Sequence, residues 1–452
     1  MQPVSTKVTP IKNAYINIEA ACKKRISKLY PAGIPSFAEE RLELELSYAK
    51  KKQEFSDDLE IYRKISLEAE RAGLYLAPRG SASGSFLFYL LGNTLLNPLP
   101  AYYYCESCGH YELADGSLFG IDLPERKCPK CSSPMTADGF NIHPEMVFGL
   151  EGERAISADY NAPEEIMPFF KKTLKEVYPD HEVEIMSEPH LGSGNNTALY
   201  LPSGFAVLPA DCTISDYPEL SSYLENGDPC ILNEFIALEQ AGIKKIHVYP
   251  HKVFKMLVAL QLATGHFITD ITLSDIRRIR WNDFANTTVY QDWVEMLIRN
   301  LRPKTFTEVA RIEAASHDTT VSNHTFPQND IQNQIYLESF MNKEEMLKYP
   351  CYTRDDFYDT FLSLGISQEM AYKLTYYTWT GRASVNKNNR WSDLLEQVSI
   401  PDDLRHICEQ YRYAWMRCHA VIYTLCNAML AFYMLKDSKI YSKVLKTVSI
   451  AK

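Results

Sequence analysis

The 452-residue chain carries 47 Lys plus Arg against 57 Asp plus Glu, a formal charge of −10, with 46% hydrophobic and 23% charged residues. That composition supplies buried cores for roughly two to four domains and excludes a disordered or fibrous chain. The overall basic charge of the simplest nucleic-acid binders is absent, so any such binding must use a local positive face.

The opening stretch, MQPVSTKVTPIKNAY, has neither the basic n-region nor the apolar core of a signal peptide, and a cytoplasmic location is expected. From Phe37 up to Gly73 the chain runs without Gly or Pro, rich in Glu, Leu, Lys and Ala, which predicts helix with a stop at Gly73. LYLAPRGSASGSFLFYLLGN then reads as a short strand, a Gly/Ser turn and an apolar helix from about Ser83 to Leu91. Residues 101–140 change character, with cysteine pairs, Gly and Pro. Residues 145–215 mix short β-like pieces (EVEIMS, TALYL, FAVLP) with a helix around Ala162 to Val177, and from about Lys252 the chain reads as largely helical. The most apolar run, Ala420 to Leu435, is 16 residues with Asn427 inside it. A bilayer span needs about 20 apolar residues, so a buried helix and no membrane partner are expected.

Four of the eleven cysteines form two C-x-x-C pairs, Cys105 with Cys108 and Cys128 with Cys131, 19 residues apart. This is two-knuckle zinc spacing: each tight turn aims two thiolates at one ion, and four close the tetrahedron, so the expected zinc is structural. A thioredoxin-like redox pair is the other reading. Cys22, Cys212, Cys230, Cys351, Cys408, Cys418 and Cys426 read as ordinary buried thiols.

The order of motifs around these cysteines resembles the catalytic core of the PolC-type bacterial replicative polymerase, the alpha subunit of DNA polymerase III in low-GC Gram-positive bacteria. LAPRGSASGSF resembles that family's S-R-G-S-x-G-S-S-F, and NPLPAYYYCESCGH its N-P-L-P-x-H-Y-x-C-x-x-C; CPKCSSPMTADGFNI resembles the second zinc knuckle. GLEGERAISADYN stands in the place of G-F-x-G-D-x-x-P-D-I-D-L-N, and SGFAVLPAD in that of H-P-G-G-I-I-V-V-P-D. RPKTFTEVARI resembles R-P-K-T-F-S-E-L-V-x-I, and YAWMRCHAVIY resembles M-F-P-K-A-H-A-A-A-Y. The matches run collinearly from about Tyr15 to Tyr441. The family's PHP, exonuclease, duplex-binding and clamp-binding segments are expected to have no counterpart.

The resemblance implies an α+β fold: a polymerase-beta-like nucleotidyltransferase palm with a zinc-knuckle insertion and a mainly helical finger-like region. Its expected parts are an N-terminal helical and palm segment (1–100), the four-cysteine zinc-binding insertion (101–140), the palm (141–270) and the finger-like helices (271–452). It also implies two-metal chemistry, in which carboxylates hold two Mg²⁺ about 3.5–4 Å apart. On a strand, residues i and i+2 face the same way, so a D-x-D pair serves one site. Here that pair reads Ser157-Ala158-Asp159, and the third acid, on a neighbouring strand, falls by register near Glu234. A serine hydroxyl is a poor substitute for a carboxylate toward a hard cation. Mg²⁺ is therefore expected only if activity survives.

Arg79, Gly80, Ser81 and Ser83 survive in the Gly/Ser turn, which could offer N–H groups to a phosphate. The H-P-G-G turn has become Pro202-Ser203-Gly204-Phe205, and about ten residues replace several dozen before it. Lys304, His317, Arg417 and His419 fall in or beside matched motifs and are candidates for DNA or nucleotide contact, as are Arg412 and Tyr423. Basic clusters at Arg277, Arg278 and Arg280, at Arg299, Arg302 and Lys304, and at Lys387 and Arg390 could track phosphates. Three readings follow. The first is a degenerate polymerase core, of the kind expected on a phage or mobile element, that binds a primer–template, a single strand or a replisome protein. The second is an active nucleotidyltransferase rebuilt on Asp159, Glu234 and another acid such as Asp211 or Glu153. The third is a non-enzymatic interaction module.

Overall fold

The computed structural model describes residues 7–92, 94–154, 156, 159–191, 198–280, 287, 292–316, 339, 341–384 and 389–450; Ser157, His317 and Lys387 lie outside the described residues. The chain begins with three helices, α1 (Ala14–Leu29), α2 (Ser36–Lys51) and α3 (Gln53–Arg71). The Gly- and Pro-free run read as helical is divided between two helices. The break is at Lys52, whose backbone is extended and whose Nζ donates to the carbonyls of Gly152 and Arg154. After α3, Gly73 takes φ +65, the left-handed stop its position predicted.

Strand β1 (Ala77–Arg79) leads through a 3-10 turn, Gly80–Gly84, into α4 (Phe86–Leu91), every residue of which is buried. The start of α4 is held by Glu45 of α2, fully buried, which accepts from Ser85 Oγ at 2.6 Å and from the N–H groups of Phe86 and Leu87 at 3.0 and 3.2 Å. A carboxylate there satisfies N–H groups that a helix leaves unpaired and suits the dipole.

The cysteine segment forms a small antiparallel sheet, β2 (Tyr102–Tyr104) between β3 (Tyr111–Leu113) and β4 (Thr136–Asp138). Tyr102 fastens it to α1 through a 2.8 Å hydroxyl contact with Tyr30. Asp138, at the end of β4, is pushed up to about 6 by burial, although it accepts from Asn97 Nδ2 and the Gly139 N–H, both at 2.7 Å. Its unfolded value is about 4, so the folded state holds this proton more tightly and stability falls as pH rises from about 4 to 6. Urea unfolding across that range should show a decline worth at most about 3 kcal/mol from this group, and Asp138→Asn should remove that part of it.

After the short helix α5 (Pro144–Phe148) comes the main sheet, built from β1 with β5 (Asp159–Ala162), β6 (Val183–Leu191), β7 (Ala198–Val207), β8 (Ser221–Tyr223), β9 (Pro229–Leu232) and β10 (Lys244–Pro250). The order is β1-β5-β10-β7-β6-β9-β8, mixed in direction, with β5 parallel to β10 and antiparallel to β1. The pieces TALYL and FAVLP, expected as separate, fall on one strand, with Ala198 to Leu201 and Phe205 to Val207 at the two ends of β7, so Pro202 to Phe205 is strand and not a turn. The irregularity is absorbed by a register shift opposite, between Met186 and Ser187, and by Gly204 at φ +143, where an added Cβ would come within 2.1 Å of the Ile246 carbonyl.

The alternation of β5 sorts its residues. Tyr160 stacks on Tyr62 of α3, ring centroids 5.6 Å apart, and meets Phe170 of α6 (Met167–Val177) at a tilt, so that face is the core. Asp159 and Asn161 face the other way, where Asn161 Nδ2 donates to Tyr423 at 3.2 Å. Tyr423 belongs to helix Arg417–Lys436, which contains the predicted apolar run. By length and composition alone this helix could cross a membrane, but 72% of its apolar window is buried within the protein.

Candidate active-site cleft and a four-cysteine cluster

Three adjacent strands bring Arg79, Asp159 and His247 into one row: Arg79 of β1 and His247 of β10 both register against Asp159 of β5. Asp159 Oδ1 lies 2.8 Å from His247 Nδ1, with the two side chains 22% and 15% exposed. On the far side of the ring, His247 Nε2 meets Asn233 Oδ1 at 3.3 Å. The Asn233 amide is turned by Glu188, whose Oε1 accepts from Asn233 Nδ2 at 2.5 Å and from the Tyr249 hydroxyl at 3.4 Å. Arg79 lies with its guanidinium 4.5 Å from the centre of the Tyr249 ring, a cation–π contact. Nearby, burial and then the Arg79 charge pull His251 down to about 4, so its neutral ring accepts the Val253 N–H at 3.2 Å and caps α8 (Lys252–Thr264).

The Gly/Ser turn closes this row at one end. Gly80 takes φ +65 and comes so near the acid that a Cβ there would stand 3.7 Å from Asp159 Oδ2. Its N–H donates to His419 Nε2, and its carbonyl accepts from Ser83 Oγ at 2.8 Å and Cys418 Sγ at 3.5 Å. Helix Arg417–Lys436 therefore clamps the turn, and His419 belongs to the cleft. The expected phosphate cradle is altered by the same contacts. Ser81 and Ser83 are buried, and the Ser83 hydroxyl and the Gly80 N–H are already engaged within the protein.

Several expected site residues lie elsewhere. Glu234 is the exposed residue preceding α7 (Phe235–Ala241) and stands outside the hydrogen-bonded row, because the strand beside β5 is β10 and not the end of β9. The residue across from Asp159 is accordingly His247. Asp211 sits in the exposed turn after β7 at φ +64, and Glu153 spends Oε2 on the Glu151 N–H at 2.9 Å; neither reaches the row. Arg417, expected to face DNA, is 5% exposed and bonded to Asp356 at 2.9 Å and Asp359 at 2.7 Å, so it is a buried structural cation. Arg277 donates to the carbonyls of Ile121 and Gly120. Lys304 lines a separate cavity of about 410 Å³ with Arg302 and Arg311. His247, Asn233, Glu188 and Tyr249 were not foreseen. The K-K-I-H-V-Y alternation signals a strand, but nothing in it says which strand is its neighbour.

The four cysteines come together as the spacing predicts, with all their sulfurs within 4.8 Å of one another. The two knuckles are the same turn twice. In each, the first cysteine's N–H reaches the carbonyl five residues on, His110 or Ser133, at 2.8 Å, and its carbonyl accepts from the residue four on, Gly109 or Ser132, also at 2.8 Å. Gly109 and Ser132 both adopt positive φ, +72 and +62, to close that turn. Cys105 and Cys128 are buried and Cys108 and Cys131 exposed, an arrangement able to hold one ion at the rim of the module.

A family described as "Bacterial DNA polymerase III alpha NTPase domain" matches residues 16–188, the segment that includes α1 to α4, the cysteine cluster and Asp159. DNA polymerase III PolC-type of Caldanaerobacter subterraneus subsp. tengcongensis is 23% identical over 95% of this chain and 34% of its own length. The proteins of the same name from Thermotoga maritima and Bacillus subtilis are each 22% identical, over 96% and 97% of this chain and 35% and 33% of their own lengths. The chain thus spans about a third of the length of the curated relatives it matches. With the motif order and the cysteine knuckles agreeing along that length, the chain is similar to the PolC-type DNA polymerase III core over nearly all of its residues.

Proposed function

We propose that this chain is a replication protein built on a polymerase core, one that binds nucleic acid, a primer end or a single strand, and has lost metal-dependent nucleotidyl transfer or keeps only a trace of it. The observation that carries the proposal is the row Arg79, Asp159, His247. Two-metal transfer needs several carboxylates around a shared pair of ions. Here Asp159 stands between a guanidinium and an imidazole, the cleft's other carboxylate, Glu188, is engaged by Asn233 and Tyr249, and the sequence position two before Asp159 is Ser157. That donor set does not fit a Mg²⁺ pair, and the reading of an active enzyme built on Asp159 and Glu234 loses its second acid.

Primer extension and terminal transfer with Mg²⁺ or Mn²⁺ should give incorporation at the level of a no-enzyme control. Incorporation above background that disappears in Asp159→Ala would sink the proposal. The four-cysteine cluster is read as a structural zinc site, because four thiolates complete a tetrahedron and leave no position open for substrate.

A further inference from the structure

We propose that the cleft binds a nucleic-acid phosphate without any divalent cation, through the Arg79 guanidinium, with His247 holding the Asp159 carboxylate that a metal would need. The inference rests on the nucleic-acid reading above and deepens it by naming the ligand group and the residues that meet it.

Three observations support it. First, His247 is locked between acceptors. Glu188 takes the Asn233 Nδ2 hydrogen, which leaves Asn233 Oδ1 toward Nε2, while Asp159 Oδ1 faces Nδ1. Held at 2.8 Å from Asp159, the ring occupies the carboxylate that an incoming metal would need.

Second, Arg79 is half-buried next to this pair yet is not within ion-pairing distance of Asp159 or Glu188, and its contact is with the face of Tyr249. Stacking on an aromatic ring occupies the face of a guanidinium and not the edge that carries its N–H donors, and that edge suits phosphate oxygens. Third, the turn that the sequence offered as a phosphate cradle is occupied by His419 and Ser83, so phosphate recognition passes from loop N–H groups to the Arg79 side chain. The neutral His251 beside Arg79 adds no competing charge.

The test uses the full chain and a fluorescently labelled single-stranded oligonucleotide followed by anisotropy, in EDTA and in Mg²⁺, across a range of salt. The expected result is an affinity in EDTA within about twofold of that in Mg²⁺. Arg79→Gln should weaken binding about tenfold or more, the scale of a charge-assisted contact, and flatten the salt slope by about one phosphate. Arg79→Gln should retain the wild-type melting temperature, and Arg79→Lys should recover part of the salt slope, which separates a ligand contact from a packing role. Binding that requires Mg²⁺, or that is untouched in Arg79→Gln, overturns the inference and leaves the nucleic-acid reading standing. Absence of binding at low salt in both buffers removes the nucleic-acid reading, and the inference with it.

Metal titration gives an independent arm. Mn²⁺ binding followed by electron paramagnetic resonance should detect no Asp159-dependent site in the wild-type chain. His247→Asp, which sets a second carboxylate in register beside Asp159, should create one. A wild-type Mn²⁺ site lost in Asp159→Ala overturns the proposal.

Discussion

Replacing Arg417 by methionine is expected to lower the unfolding free energy by about 3–5 kcal/mol, the cost of leaving buried acids without their cation. Arg417 opens the long apolar helix and is 5% exposed. Its Nη2 bonds Asp356 and Asp359, another guanidinium nitrogen donates to the Asn141 carbonyl, and its backbone N–H reaches Asp355 Oδ2 at 3.2 Å. His143 Nε2 also contacts Asp359, at 2.5 Å, but one imidazole cannot balance three acids. Burial alone would raise Asp359, yet Arg417 and His143 together hold its carboxyl well below the usual range. A depressed acid stabilises the fold above its unfolded value of about 4, and that contribution is lost as pH falls toward the folded value. The gap between wild type and Arg417→Met in urea denaturation should therefore be widest near neutrality and narrow below about pH 4. A stability change under about 1 kcal/mol, accompanied by weaker DNA binding, would return Arg417 to the ligand-facing role its motif suggested.

Stripping the metal from the four-cysteine module should melt residues 101–140 while the main sheet persists. The module's own core is small: Ala101, Tyr103, Cys105, Leu123, Cys128 and Met135 form a separate buried cluster, two of them cysteines of the knuckles, while Tyr102, Tyr104, Phe119, Ile121 and Phe140 pack into the main core. Structural zinc in small modules contributes about 10–16 kcal/mol at neutral pH, far more than such a core supplies. Metal analysis should find about one zinc per chain, and Cys108→Ser or Cys131→Ser should lose it together with hydrogen-exchange protection in β2, β3 and β4. A chain that holds less zinc than this and keeps full protection would remove metal from the account. The Tyr30 to Tyr102 contact and the Phe119 N–H bond to Thr307 Oγ1 at 3.0 Å carry any such loosening to α1 and to the helix that follows residue 305.

Local chemistry was legible in the sequence because local rules decide it. The C-x-x-C pairs announced their turns, Gly73 its helix stop, and the Ala420 to Leu435 run its burial, since each depends on residues within a few positions. Motif order alone pointed to the polymerase core, and the similarity bears that out. The site was a different matter. Asp159 could be placed from its motif, but its partner could not, because strand pairing is set by which side chains bury one another across nearly ninety residues of chain. Register therefore put the third acid at Glu234, whereas the sheet put His247 there. Arg417 failed for the same reason: a basic residue in a nucleotide-binding motif looks ligand-facing until three aspartates and a histidine from elsewhere close over it. The residues themselves determined a zinc-spaced, polymerase-like core with a serine at one motif carboxylate position. Only the tertiary structure decided that its motif carboxylate is held by an imidazole, because that pairing is made across a sheet and not along a chain.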